Sequence, residues 1–280
     1  MRLQNAPLVQ VLAQVVFTTV PDMSERVRAL HARLNTLYPR YHEDQTVMAG
    51  ISVQPGADVQ VLPPKTTTRW IFADRARQTG VIVTETGVLL HTTSYGGHRP
   101  FFARLGDVLR ALDGSLSSKP MVERVGLRYV DLVRPEHHES YGTYVHQGLL
   151  GFPFRDASQL SAVGGGFLTQ SVAETPNGVL AIRSMTLPAG TYLPPDLESG
   201  LLAPLDLPAV EGGRPGLAVD FDHFTLFTGA ANTMDFVPDA ILAHFGTLHG
   251  TLREAFQVII TSDARAAWGP PVDEDVEVRA

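Results

Sequence analysis

Arg124, Gly126 and Arg128 are the residues of this 280-residue chain whose types and spacing most suggest chemistry. They fall in the run Glu123 to Val133, which is rich in β-branched and aromatic residues, is closed by Pro135 and reads as a strand. Successive side chains on a strand point to opposite faces. One face therefore carries Val125, Leu127 and Tyr129, with Glu123 and Asp131 at its ends. The other carries Arg124, Gly126, Arg128, Val130 and Leu132. Two arginines four positions apart on a strand stand roughly 13 Å from each other. That is too wide for one carboxylate and suits an extended anion, such as a nucleotide or a peptide with two acidic groups. Gly126 between them would let a ligand or another backbone approach closely. The competing reading is structural. Each arginine pairs with Glu123 or with an acidic residue of a neighbouring strand, and Gly126 is a bulge or leaves room for a crossing side chain. The structural reading is the one we favour.

Three other groups invite chemistry. In Tyr95-Gly-Gly-His-Arg-Pro-Phe101 two glycines precede a helix-like segment, so backbone N–H groups could meet an anion with Arg99 adding charge. The lysine and Ser/Thr of a nucleotide-binding loop are missing, and a loop–helix junction anchored by Tyr95 is the plainer reading. Gly164-Gly-Gly166 lacks such a cradle too. Asp220, Asp222 and His223 lie on one strand, the two aspartates on the same face, and could hold a metal only if a distant histidine converged. Of the ten histidines, His244 and His249 are five apart and so do not share a helix face as paired ligands do. No metal site and no cofactor is expected. Neither GxSxG nor SxxK occurs, so no nucleophile is marked.

These residues need elements to position them. Pro7 to Val20 reads as a first strand, and a helix follows from Asp22 or Ser24 to about Leu37, with Val27, Leu30, Leu34 and Leu37 on one side. Strand candidates follow at Val47–Val53, Asp58–Leu62, Thr66–Ala73, Gly80–Thr84 and Val88–Thr93, with hairpin character at Glu85-Thr-Gly87. Phe101 to Leu112 is an amphipathic helix leading into the arginine strand. After Pro135 come Phe167–Ala173 and Gly178–Thr186, joined by the turn Pro176-Asn177-Gly178. A long Pro/Gly loop spans 188–216, then Leu217–Thr225 reads as a strand, and a helix runs from Pro238 to about Ile260. The expected class is α+β: antiparallel sheets packed with a few amphipathic helices. Two similar halves, 1–135 and 136–269, are suggested by element order, with a disordered acidic tail at 270–280.

Composition narrows the partners. Apolar residues make up 44% and charged residues 18%, enough for a sizeable core. The net charge of −7 argues against a broad nucleic-acid or anionic-membrane footprint, while leaving a local basic patch open. The chain has no cysteine, which excludes disulfides, thiolate metal sites and a cysteine nucleophile. The first residues lack a basic start and apolar core of a secretory signal, and Leu8–Val20 is too short and polar to span a bilayer. A cytoplasmic protein without membrane contact is expected.

Several pieces together resemble a family of sporadically distributed bacterial proteins. They are Asn5-Ala-Pro7, Leu37-Tyr-Pro39, Arg69-Trp-Ile-Phe72, Leu90-His-Thr-Thr-Ser-Tyr95, Arg124-Val-Gly-Leu-Arg-Tyr-Val-Asp131 and the final Leu248-His249…Phe256…Ile260-Thr261. They run almost the whole chain in the family's order, and Arg-x-Gly-Leu-Arg-Tyr is the most specific. The resemblance implies a size and a domain count but no catalytic residues. The family's patchy distribution is associated with mobile or defence gene neighbourhoods. The expectation is therefore a non-catalytic binding or assembly protein, working with a protein partner or a second copy, as an accessory subunit of a bacterial defence-type system. The alternative is an enzyme or sensor that holds a phosphorylated ligand or nucleic acid at Arg124 and Arg128.

Overall fold

One antiparallel sheet, curved by the twist common to all such sheets, carries most of the chain. The computed structural model describes residues 2–52, 60–136, 139–152, 166–197, 202–205, 207, 215–229 and 232–272; the side chains of residues 2 and 46–65 are outside that description. In chain order the strands are β1 (Arg2–Leu3), β2 (Leu8–Phe17), β3 (Arg40–Ser52), β4 (Gln60–Ala73), β5 (Thr79–Thr84), β6 (Gly87–Thr92), β7 (Met121–Val133), β8 (Leu168–Thr175), β9 (Gly178–Leu187), β10 (Gly216–Leu226), β11 (Met234–Asp235) and β12 (Pro271–Val272). The helices are α1 (Met23–Leu34), α2 (His98–Asp113), α3 (Pro238–Ile259) and α4 (Ser262–Ala267). The large sheet runs β3-β4-β5-β6-β2-β7-β10-β9-β8, with β11 also paired to β7. β1 and β12 form a separate pair. The chain is an α+β protein.

The arginine strand, β7, lies near the middle of this sheet. β2 flanks it on one side and β10 on the other, so a strand from the first half is bonded directly to one from the second. Both halves contribute to one sheet.

One face of the sheet is covered by helices. Val11, Ala13, Val15 and Phe17 of β2 and Val125 and Leu127 of β7 point to this face. They pack against Met23, Val27, Leu30 and Leu34 of α1, Leu105, Leu109 and Leu112 of α2, and Ile241, Phe245, Leu248 and Leu252 of α3. Each helix presents apolar residues at spacings of three and four, which makes one continuous stripe. Full burial of each such side chain contributes about 1.5–3 kcal/mol, so this layer supplies most of the driving force. The second face is more polar. It holds a smaller apolar cluster of Val9, Leu12, Val130, Leu132, Leu187, Leu197 and Ala218.

Local differences from the sequence reading have local causes. α1 stops at Leu34, a turn before Leu37, because Tyr38 donates its N–H to Leu34 O and folds inward while Leu37 stays exposed. Two strands expected on either side of Pro63-Pro64 are a single strand, β4. The prolines sit opposite a register shift in β3, at a part of β4 that β5 does not reach, so two missing donors cost little. α2 begins at His98, with Pro100 in its first turn, rather than at Phe101. The Pro176-Asn177-Gly178 turn joins β8 to β9, with Gly178 at φ 137°. Of the tail expected to be disordered, Pro271–Val272 pairs with Arg2–Leu3, and 273–280 lie outside the described residues. The strand ends expected at Val53 and Asp58, the His137-His138 pair, Gly164 and Gly165, and parts of the 188–216 loop also lie outside them. Among the described residues no helix is long and apolar enough to cross a membrane.

Candidate functional site

The two faces of β7 hold two different polar arrangements. On the second face, Arg124 and Arg128 meet carboxylates brought by β10. The register sets Asp222 opposite Arg128 and Asp220 opposite Val130. Arg128 donates from Nε to Asp220 Oδ1 at 2.7 Å and from Nη2 to Oδ2 at 2.8 Å, a two-pronged pair. Its third arm, Nη1, reaches Asp196 at 2.8 Å. Arg183 of β9 donates to the same Asp220 Oδ2, at 2.9 Å from Nε and 2.5 Å from Nη2. Asp220 is only 1% exposed, so its charge is held inside by two guanidinium groups. Arg124 donates to Gln14 Oε1 at 2.6 Å and to both oxygens of Asp222, and its guanidinium lies 4.6 Å from the centre of the Phe224 ring.

Gly126 has a clear part in this. A Cβ placed on it would lie 2.5 Å from Arg124 Nη1, so the side chain crossing this glycine is that of Arg124 itself. The charges tune one another. Burial works against the Arg128 charge, but bonds from Asp220 and Asp196 outweigh it and hold the guanidinium above its usual pKa. Burial likewise pushes Asp196 up, but Arg128 and Arg183 more than reverse this and leave it below the usual carboxylate value. For Asp222 burial wins over Arg124 and Arg128, and its pKa is raised.

Arg99 does not join this group. It is exposed in the first turn of α2, in the layer on the opposite face of the sheet. Gly97, at φ 124°, sets the N-terminal turn of that helix. Asp220 and Asp222, the pair that could have used a metal had a distant histidine converged, face arginines. Among the described residues no group of three or more His, Asp or Glu is placed to hold a metal.

On the helix-covered face a second arrangement appears that the sequence reading did not pick out. Tyr129 and Asp131 of β7 point into a cavity of about 60 Å³ beneath α3 and the N-terminal segment. That is several times the ~10–15 Å³ that holds one water. Leu3, Leu8, Phe221, Leu252 and Phe256 make its walls apolar, and Arg253 stands at its exposed rim. Tyr129 shares a 2.8 Å hydrogen bond with His249 Nδ1 and a 3.2 Å one with the Tyr95 hydroxyl. His249 in turn stacks on His98, 4.6 Å between ring centres.

Asp131 is 5% exposed, and no described cation or hydrogen-bond donor figures among the causes that set its pKa. Burial, with a smaller push from the charge of Asp220, raises its pKa to about 7. A buried carboxyl that no cation offsets is costly, and such groups concentrate at sites that use them. The signal in the sequence was an aspartate on the core-facing register of a strand face whose middle, Val125 and Leu127, is apolar. Its neighbours Tyr95 and His249 come from elements far away in the chain, so only the packing of α2 and α3 against β7 assembles the group.

No known family model matches the chain, and no curated protein matches it.

Proposed function

We propose that this is a non-catalytic binding protein whose ligand is a small organic amine held in the Asp131 cavity. The observation that carries the reading is a buried carboxyl, whose pKa burial raises and no described cation lowers, that opens onto an aromatic-lined space. An ammonium group would give Asp131 the charge it lacks. At an effective dielectric of about 20, two unit charges 4 Å apart attract by about 4 kcal/mol. Tyr95, Tyr129, Phe221 and Phe256 line the same space, giving the cation aromatic neighbours and a short hydrocarbon body apolar contact. The test is calorimetric titration with short alkylamines and their isosteric alcohols at pH 7.5, against the native protein and Asp131→Asn. The amines are expected to bind the native protein alone, and the alcohols neither. Amine binding that survives Asp131→Asn, or no amine bound by the native protein, would sink the reading.

A second reading, an assembly role through a second copy, is favoured by the outer strand of the sheet. Among the described residues β8 is the last strand of its side, and Leu168 and Val172 on it are 65% and 59% exposed. Such an edge is a template for antiparallel pairing. Light scattering would then report a dimer that Val172→Lys dissociates; a monomer at all concentrations rejects this role. The accessory role in a defence-type system, which the family resemblance implies, would rest on such an interface.

A further inference from the structure

The second face of the sheet is crossed by a strap, Gly190–Leu197 and Leu202–Leu205, tied at two points. At one, Asp196 accepts a 2.8 Å hydrogen bond from Arg128 and lies 3.5 Å from Arg183. At the other, Ala203 N donates to Arg77 O at 2.7 Å, and Arg77 Nη2 donates to Leu202 O at 3.4 Å. Arg77 holds this position from the turn between β4 and β5 with φ 57°, a left-handed conformation unusual for a residue with a side chain. Between strap and sheet is a cavity of about 360 Å³. Volumes of this order hold small-molecule ligands.

The lining specifies the ligand. Tyr192, Leu193, Leu197 and Leu205 give apolar walls, and no described side chain in the lining is charged. Gln10 reaches the cavity from β2. It is 2% exposed, and its amide oxygen has no hydrogen-bond partner among the described residues. An acceptor buried and left unpaired is costly, and a donor that meets it recovers that cost. We infer that this cavity is a binding site for a neutral, mainly apolar molecule carrying one N–H or O–H group, toward which the Gln10 amide, whose oxygen is closed off from the cavity, turns as acceptor. The site is independent of the Asp131 cavity, which opens on the opposite face of the sheet.

The probe is N-phenyl-1-naphthylamine, a neutral aromatic molecule with a single N–H whose fluorescence rises in apolar surroundings. The native protein is expected to bind one equivalent. Gln10→Met keeps the length of the side chain and removes the acceptor, and is expected to weaken binding roughly fivefold to tenfold. Ala203→Trp fills the space and is expected to abolish the signal; Leu205→Trp replaces it if that variant fails to fold. No binding by the native protein, or undiminished binding in either the acceptor variant or the filled variant, overturns the inference.

Discussion

Asp131→Asn isolates the electrostatic cost of one carboxyl. In the folded protein burial and the charge of Asp220 raise its pKa to about 7; in the unfolded chain it returns to about 3.9. Between those values the folded protein keeps a proton that the unfolded chain has released. Stability therefore falls as pH rises from about 4 to about 7 and stays at the lower level above that. A difference of about three pK units corresponds to on the order of 4 kcal/mol. Asparagine has nearly the same shape and no charge at any pH. The variant is expected to melt close to the native protein near pH 4, then to gain on it up to about pH 7.5, where the gap levels off. For a chain of this size the full gap is roughly 8–16 °C in Tm. Thermal melts by circular dichroism from pH 4 to 8.5 at constant ionic strength measure it, and the difference between the two curves removes the other titrating groups. That subtraction matters because His91 acts with the opposite sign. Burial lowers its pKa to about 4, so it costs stability as pH falls from about 6.5 towards 4. In the native protein the two effects oppose each other across this range. A gap that does not change with pH would refute the reasoning for Asp131 and remove the basis of the amine site.

Four further outcomes are expected. His91→Gln should gain on the native protein only as pH falls below about 6.5, in the same melts, and a gain confined to alkaline pH would contradict the depressed pKa. Amine affinity measured by calorimetry should rise by up to tenfold per pH unit below about 7 and then level off, because binding expels the Asp131 proton; in buffers of different ionisation enthalpy the apparent heat should change accordingly. Asp220→Ala strips Arg128 and Arg183 of their shared carboxylate and should cost about 3–5 kcal/mol in urea denaturation. Gly178→Ala should destabilise by more than Gly126→Ala. At Gly178 the backbone has φ 137° and a Cβ would collide with the Phe224 carbonyl, whereas at Gly126 it meets only the movable end of Arg124.

The sequence made the individual elements legible where periodicity and punctuation agreed. The stripe Ile241, Phe245, Leu248 and Leu252 behind Pro238 marked α3, and Pro176-Asn177-Gly178 marked the β8–β9 hairpin. The faces of β7 were also legible, since alternation alone separates Arg124 and Arg128 from Leu127 and Tyr129. What could not be read was which strand lies beside which. Asp220 and Asp222 were visible as a pair on one strand face, but nothing local says that β10 is the neighbour of β7. That adjacency turns two arginines and two aspartates into one network. Asp131 was passed over for the same reason. Its burial depends on what Phe221, Leu252 and Phe256 do around it, and these arrive from β10 and α3.

The place of β7 also sets a timetable for synthesis. Its partner β2 precedes it, but β10 emerges from the ribosome roughly 80 residues later, several seconds at ordinary elongation rates. During that interval one long edge of an apolar strand stays open, the kind of edge that pairs with the wrong chain. Arg124 and Arg128 sit on that strand with their eventual carboxylates, Asp220 and Asp222, not yet made. Two uncompensated positive charges repel another nascent copy of the same strand, and they are neutralised only when the correct neighbour docks. The pair that suggests a ligand site in the sequence thus carries its charge unpaired until β10 docks, and is neutralised in the finished molecule.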